Sequence, residues 1–459
     1  MIKKLIIKGL RGFVEEQELC PSLPNNELGS GLTILVGANN SGKSTIIEAL
    51  RAISQRDRLP SFTVGRRNIQ SGDAVSIKVI DELDRTIEMK SKRAGSSEVE
   101  LNGDYSEAGN IFVLPSRRAF DPFFGKHEFD RNNYISSNGF PAQRTSQQEY
   151  FYGRLFNAEN NRESFNNVLK KVIDPLPEWT IDQSDNGQYF LKFSKGTVSH
   201  SSEGVGEGIV SLFFIIDSLY DSNSGDIIVI DEPELSLHPS LQKRLAQLIS
   251  EYAKDRQIIV ATHSPYFIDL NNLQYGLSIA RVHQKNYITK ISQMSNESVD
   301  FINKSLNNLY NPHVFGFDAK EVFFLDEKII LVEGQDDVIF YKIILNKLAI
   351  NLIGNFYGWG IGGADNMGKM ASLLEELGFE KVIGILDADR EHRIIELKDQ
   401  FPSYVFYAIN ANDVRTKPSR NATEQVDGIL DENRNIRPEY FDPTKDMFIK
   451  VKDYLENEN

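Results

Sequence analysis

Gly37-Ala38-Asn39-Asn40-Ser41-Gly42-Lys43-Ser44-Thr45 decides the fold of the first part of this chain. Gly37 and Gly42 enclose four residues and are followed by Lys43 and Ser44, the spacing of a phosphate-binding loop. Leu32-Thr33-Ile34-Leu35-Val36 before it reads as a strand, and Thr45-Ile46-Ile47-Glu48-Ala49-Leu50 after it reads as a helix. Phosphate binding needs that context. Glycines let the backbone wrap an anion, and the helix N-terminus supplies N–H donors and a favourable dipole. Gly37, Asn39, Asn40, Gly42 and Thr45 are therefore candidate cradle residues. Lys43 is placed to reach the β- and γ-phosphates of ATP, and Ser44 to ligate Mg²⁺.

Further along, Gly225-Asp226-Ile227-Ile228-Val229-Ile230 is a short apolar strand that ends in Asp231-Glu232-Pro233. There Asp231 can hold Mg²⁺ through water and Glu232 can orient the attacking water, the arrangement of a Walker B site. An amphipathic helix follows, with Leu241, Leu245, Leu248, Ile249 and Tyr252 on one stripe. The next strand, Gln257 to Thr262, ends at His263, one strand beyond the Walker B strand and in position to sense a γ-phosphate.

Together GANNSGKST, IIVIDEPELSLHP and IIVATHSP resemble the ATPase head of the ABC class, in its RecF/SMC-like branch, over about the first two-thirds of the chain. The resemblance implies ATP held between two heads, each phosphate loop completed by a signature loop of the partner. Ser201 to Gly208 is the candidate for that loop, in either of two registers: Ser202 with Gly204, or Gly206-Glu207-Gly208. No heptad run or repeat is present, so long SMC-type arms are not expected.

The last third reads as a second α/β unit. Lys328 to Val332 is a strand ending in Glu333-Gly334-Gln335-Asp336-Asp337, with an apolar-rich helix after it. Lys381 to Leu386 is another, ending in Asp387-Ala388-Asp389, and Asn355 to Ile361 reads as a third between them. Parallel sheets gather functional groups at the C-terminal ends of their strands, so Glu333, Asp387 and Asp389 should converge. Clustered hard carboxylates suit Mg²⁺ or Mn²⁺. From Asp326 to Ile409 the pattern resembles the Toprim domain of topoisomerases, primases and some nucleases. Among 17 tyrosines none lies in a motif, which weakens a strand-passage reading.

An ABC-class head followed by a Toprim domain resembles the OLD (overcoming lysogenization defect) nuclease family. The resemblance implies an ATPase domain over residues 1–320, with a helical insert at 119–200, and a Toprim nuclease domain with a C-terminal tail over 321–459. It implies an ATP-binding, metal-dependent DNA endonuclease of anti-phage defence, with Glu333, Asp337, Asp387 and Asp389 as metal-binding acids and Gly334 and Gly384 as strand-end glycines. Glu333 could instead be a general base. Arg390, Arg415 and Lys417 are candidates to meet charge on the scissile phosphate. A homodimer or higher homo-oligomer and a companion, a helicase or a reverse transcriptase with its DNA, are the implied partners. A RecF-like scaffold that does not cut, and a toxin acting on RNA or tRNA, are the rival readings.

A net charge of -14 argues against non-specific coating of DNA, leaving local clusters such as Arg51, Arg56, Arg58, Arg66 and Arg67, or Arg117 and Arg118, to track a backbone. One cysteine, Cys20, excludes an intrachain disulfide. The first eight residues are too short an apolar run for a signal peptide, and Asp217 interrupts the apolar stretch Ile209 to Tyr220, so a cytoplasmic protein without a membrane span is expected. The tail after Asn410 should dock as one final helix ending near Tyr454-Leu455.

Overall fold

Runs of consecutive apolar residues can be buried on both faces only inside a covered sheet, and that is where they lie. Leu32–Val36 (β3), Ile227–Asp231 (β11) and Gln257–Ala261 (β12) are buried at every position. With Ile111–Leu114 (β7), Ser278–Lys285 (β13) and Ile288–Gln293 (β14) they form a six-stranded sheet of order β14-β13-β3-β12-β11-β7. Pairing is parallel from β13 through β3, β12 and β11 to β7. The computed structural model describes residues 1–54, 59–103, 111–116, 118, 125–126, 128, 130–133, 151–201, 206–306, 328–417 and 425–457. These separate into two compact units, Met1–Ile291 and Ser292–Asn459.

In the first unit a second sheet is antiparallel, of order β2-β1-β4-β5-β6, from Ile2–Lys8 (β1), Gln17–Leu19 (β2), Ser76–Asp81 (β4), Thr86–Ser91 (β5) and Val99–Asn102 (β6). The helix Lys43–Ser54 (α1) lies between the two sheets. Its Ile46, Ile47, Ala49, Leu50 and Ile53 share one core with Leu5, Ile77 and Met89 on one side and Val229 and Ile259 on the other. Fully buried Gln257 joins the layers: it accepts from the Ile2 N–H (2.8 Å) and donates to the carbonyls of Ile2 (2.7 Å) and Ser22 (2.9 Å).

The insert differs from the helical expectation. Phe151–Asn160 (α2) and Arg162–Leu169 (α3) are helical, but Glu178–Gln183 (β8), Tyr189–Lys195 (β9) and Val198–Ser201 (β10) make a three-stranded antiparallel sheet of order β10-β9-β8. The reason is local. Leu191 and Phe193 bury alternate positions of β9, as strand periodicity requires, and Gly187 turns the chain at φ 77°. This sheet packs on the apolar helix Glu207–Tyr220 (α4), where Phe213 meets Trp179 edge-on at 5.2 Å, Phe193 at 5.7 Å and Phe165 at 5.7 Å.

Pro239–Tyr252 (α5) follows the Walker B strand and buries Leu245, Leu248 and Ile249 of the expected stripe. In the second unit, after Asn296–Leu306 (α6), strands Lys328–Val332 (β15), Asn355–Phe356 (β16), Lys381–Leu386 (β17) and Val405–Ala408 (β18) form a four-stranded parallel sheet of order β16-β15-β17-β18. Helices Gln335–Lys347 (α7), Met367–Glu376 (α8) and His392–Gln400 (α9) alternate with them. The strand expected over Asn355 to Ile361 shrinks to two residues. Gly360, at φ 90°, turns the chain so close to Gly334 that a Cβ there would meet the Gly334 Cα at 2.5 Å. Gly384 is not at a strand end but inside β17, where a Cβ would strike the Phe406 ring at 2.5 Å. The final helix, Pro438–Glu456 (α10), docks as expected by burying Met447, Phe448, Val451 and Leu455. Among the described residues no helix is long and apolar enough to cross a membrane.

Phe213→Ala should remove the ring on which the insert sheet rests and cost about 3–5 kcal/mol, a large-to-small core loss. Denaturant unfolding followed by tryptophan fluorescence measures it, and a loss below about 1 kcal/mol would show that the sheet is held by other contacts.

Candidate functional site

The phosphate loop leaves β3 and enters α1 through two backbone conformations that favour glycine. Gly37 has φ 142° and would put a Cβ 2.0 Å from the Val282 carbonyl oxygen; Gly42, at φ 118°, would put one 2.8 Å from Thr289 Cγ2. Asn40 is left-handed at φ 64°, and Asn39 and Asn40 are exposed at the loop tip. Lys43 is 5% exposed and its ammonium donates to the carbonyls of Gly37 (2.9 Å) and Ala38 (3.0 Å). Burial pulls Lys43 down to about 8, against the charges of Asp231, Glu232 and Glu234. Ser44 is half-buried and Thr45 buried in the first turn.

Asp231 is buried at the end of β11, and Glu232 follows in a left-handed turn at φ 48°. Pairing with β12 in register Asp231↔Ala261 brings His263 opposite, its Nε2 3.9 Å from Glu232 Oε1. Burial, with the Lys43 charge added, lowers the His263 pKa and keeps the imidazole neutral at pH 7. Two residues that the motif reading did not assign to this turn complete it. Glu234 accepts from the His263 N–H (2.6 Å) and the Thr262 hydroxyl (2.8 Å), while burial raises its pKa. Arg118 is 7% exposed and donates to the carbonyls of Asp231 (2.7 Å) and Glu232 (2.8 Å) and to Ser211 Oγ (2.7 Å). Burial pulls it down to about 10, opposed by the same carboxylates, so it stays protonated at neutral pH. The charge that the sequence offered to DNA is thus spent inside the ATPase site.

Other basic candidates are also committed. Arg66 pairs with Glu48 at 3.1 Å and Arg67 with Asp73 at 3.0 Å. Arg56, Arg58 and Arg117 lie outside the described residues, as do Ser202 and Gly204 of the signature stretch. Gly206 is exposed as the N-cap of α4, and no atom of the described residues lies within 4 Å of an added Cβ. Gly208 is buried and faces this chain's own Walker B turn, where a Cβ would meet the Ser236 carbonyl oxygen at 2.3 Å.

In the second unit the acids follow the strands. Glu333 leaves β15 and its Oε1 accepts from the Asp387 N–H at 3.1 Å, just after β17. Asp337, in the first turn of α7, accepts from the Gly334 N–H at 2.8 Å. Asp389 is exposed in the turn Ala388–Arg390 and pairs with Arg390 at 3.4 Å. A fifth acid, Asp413, is 6% exposed in the segment that follows β18. No motif marks it, but its place after a parallel strand is the same topological position. Burial, then the charges of Asp337, Glu333, Asp413 and Asp389, pushes Asp387 up to about 8. Burial chiefly, with Glu333 and Asp413 adding to it, raises Asp337 to about 6. Lys417 pairs with Asp413; Arg415 pairs with Asp336 at 2.8 Å and lies over the Phe340 ring at 5.6 Å.

This donor set has the chemistry of a hard divalent-cation site: oxygen ligands only and negative charge in excess. As the side chains stand, no three His, Cys, Asp or Glu among the described residues form a group that could hold a metal ion.

Residues 32–269 match the family described as "AAA domain, putative AbiEii toxin, Type IV TA system". The chain is 33% identical over 130 residues to the OLD nuclease of Thermus scotoductus (strain ATCC 700910 / SA-01), a match covering 27% of this chain and 23% of that one. It is 27% identical over 125 residues to the endonuclease GajA of Bacillus cereus (strain VD045), covering 27% and 19%. To the Septu protein PtuA of Bacillus thuringiensis it is 24% identical over 301 residues, covering 58% and 73%. The match thus spans less than a quarter of the first two relatives. Among solved structures, the SMC head domain from Thermotoga maritima aligns at a TM-score of 0.38 and 17% identity, over 64% of this chain and 99% of that one. An SMC head bound to the C-winged helix domain of ScpA aligns at 0.42 and 18%, over 65% and 99%. The resemblance to OLD nucleases that the sequence motifs carry is borne out by these relatives.

Asp387 binds its proton more tightly folded than unfolded, so its contribution to stability is complete below its ordinary 3.8 and is lost as pH rises to about 8. Asp387→Asn should therefore raise the melting temperature of metal-free protein at pH 8 and change it little near pH 4. A variant that melts below the wild type at pH 8 would show that the carboxylate is already compensated.

Proposed function

The chain belongs to the AAA-domain family of AbiEii-toxin type, and from that premise we propose that it hydrolyses ATP in its first unit and, as an OLD-type nuclease, cuts DNA phosphodiesters in its second. The observation that supports the nuclease reading is the placing of the acids: Glu333, Asp387 and Asp413 follow adjacent parallel strands, and burial, with the charges of Asp337, Glu333, Asp413 and Asp389 added, pushes Asp387 up to about 8. Carboxylates gathered without matching cations destabilise the fold unless something positive meets them.

In the first unit, residues Gly37 to Thr45 and the N-terminus of α1 take the phosphates. Lys43 would exchange its two carbonyl partners for phosphate oxygens, and Ser44 and Asp231 would hold Mg²⁺. Glu232 orients water. His263, kept neutral, can hydrogen-bond at the γ-phosphate. Gly206 at the start of α4 is exposed among the described residues, which fits a homodimer closing its heads on two nucleotides. Such closure is a two-state element through which ATP can license or block cutting.

In the second unit Glu333, Asp337, Asp387 and Asp389 would hold Mg²⁺ or Mn²⁺, with Asp413 adding negative charge. A bound cation would polarise the phosphodiester and activate water. Asp387 would have to give up its proton to serve as a ligand. Glu333 serves as ligand or as general base. Lys417 and Arg415 pair with Asp413 and Asp336, and to meet charge on the scissile phosphate they would have to exchange those partners. Phage defence is the setting the OLD-type reading implies, with a helicase or a reverse transcriptase and its DNA as companion.

The test is cleavage of supercoiled, linear and single-stranded DNA, and of RNA, in Mg²⁺ and in Mn²⁺, with and without ATP. Wild type should cut DNA only with metal; Asp387→Ala should fall to background while still hydrolysing ATP. Lys43→Ala should lose nucleotide binding. Hydrolysis of ATP with no cutting of any substrate would instead favour the RecF-like scaffold.

A further inference from the structure

Arginine carries five N–H donors in a rigid planar fork, so a buried arginine whose fork is matched on several sides fixes the groups around it. Arg118 is such a residue. It lies just beyond β7, which pairs with β11 up to Leu114↔Ile230, so the chain leaving β7 runs beside the residues that follow β11. Nε donates to Ser211 Oγ (2.7 Å), Nη1 to the carbonyls of Pro115 (2.8 Å) and Asp231 (2.7 Å), and Nη2 to the carbonyl of Glu232 (2.8 Å).

Those contacts join three elements. The Asp231 and Glu232 carbonyls belong to the Walker B turn. Glu232 is held there at φ 48°, a left-handed conformation that a residue with a side chain seldom adopts without support. The turn decides where the Glu232 carboxylate points. Ser211 belongs to α4, whose first turn, Glu207 and Gly208, packs on Ser236 of the same Walker B segment. Pro115 anchors the guanidinium to its own loop. On the far side of the turn the Glu232 N–H donates to the Ala261 carbonyl (2.8 Å) and Glu234 grips His263 and Thr262, which leaves Arg118 to set the carbonyl side.

We propose that Arg118 is a positioning residue for ATP hydrolysis: it holds the left-handed Glu232 backbone so that the carboxylate faces the water, and through Ser211 it makes that aim depend on the position of α4. The proposal rests on the ATPase reading of the first unit. Arg118 touches no substrate; it acts through the Glu232 backbone. A movement of α4 therefore reaches Glu232 through one side chain.

The experiment compares wild type, Arg118→Lys, Arg118→Ala, Ser211→Ala, the Arg118→Lys/Ser211→Ala double variant and Lys43→Ala. It measures kcat and KM for ATP, equilibrium binding of a fluorescent ATP analogue, and melting temperature. Lysine keeps the charge but cannot span three elements. Arg118→Lys should lower kcat about tenfold or more while KM and analogue binding stay within about twofold of wild type. Ser211→Ala should lower kcat less, and the double variant should be no worse than Arg118→Lys, because both remove one link. Full kcat in both Arg118 variants would overturn the proposal, as would additive effects in the double variant or a loss of binding and melting temperature in proportion to kcat. Wild type that hydrolyses ATP no faster than Lys43→Ala would overturn the ATPase reading and this proposal with it, and only that outcome touches both.

Discussion

Parallel pairing is the constraint on which both candidate sites depend. A parallel ladder brings the C-terminal ends of its strands to one edge, and whatever residue comes next in each chain segment meets its counterparts there. In the first unit the registers Asp231↔Ala261 and Leu114↔Ile230 bring the Walker B turn, His263 and Arg118 together from three separate segments. In the second, β15 pairs with β17 and β17 with β18, and the residues beyond them include Glu333, Asp387 and Asp413. Neither site is a product of local sequence alone. Each depends on a core of continuous apolar strands that hold register to the residue.

That dependence explains what could be read in advance. β3, β11, β12, β15 and β17 are short, continuous and apolar, so their existence and the residues at their ends were legible. The insert sheet was not: β10 is largely exposed, and β8 and β9 alternate only partly, so the segment carries too weak a two-residue period to displace a helical reading. Asn355 to Ile361 has strand-like composition, but the close approach of Gly360 to Gly334 is a tertiary fact that composition does not hold. Among site residues, the motifs picked out those whose spacing is local. Asp413, Glu234 and Arg118 owe their roles to burial and to partners far away in sequence. A charge in a sequence has no depth, which is why Arg118 could pass for a surface cation.

The two sites also balance their charges differently, and the contrast bears on how each meets its ligand. Around the phosphate loop, Lys43 and Arg118 face Asp231, Glu232 and Glu234, and each cation is held up by those carboxylates against the desolvation that pulls it down. The groups compensate one another, and under the proposed ATPase reading Lys43 would need only to exchange carbonyls for phosphate. Electrostatic stabilisation of this kind is preorganised.

At the edge of the second sheet burial raises the acids, and their neighbours' charges add to it. Asp387 is lifted to about 8 and Asp337 to about 6, while Lys417 is paired with Asp413 and Arg415 with Asp336. Under the proposed function a divalent cation, and through it a phosphate backbone, would relieve that crowding. An acidic chain of net charge -14 gains nothing from general attraction to DNA. Under the proposed nuclease reading, contact with a polyanion would fall to this edge, where a bound cation would turn repulsion into coordination and tie recognition and chemistry to the same few carboxylates.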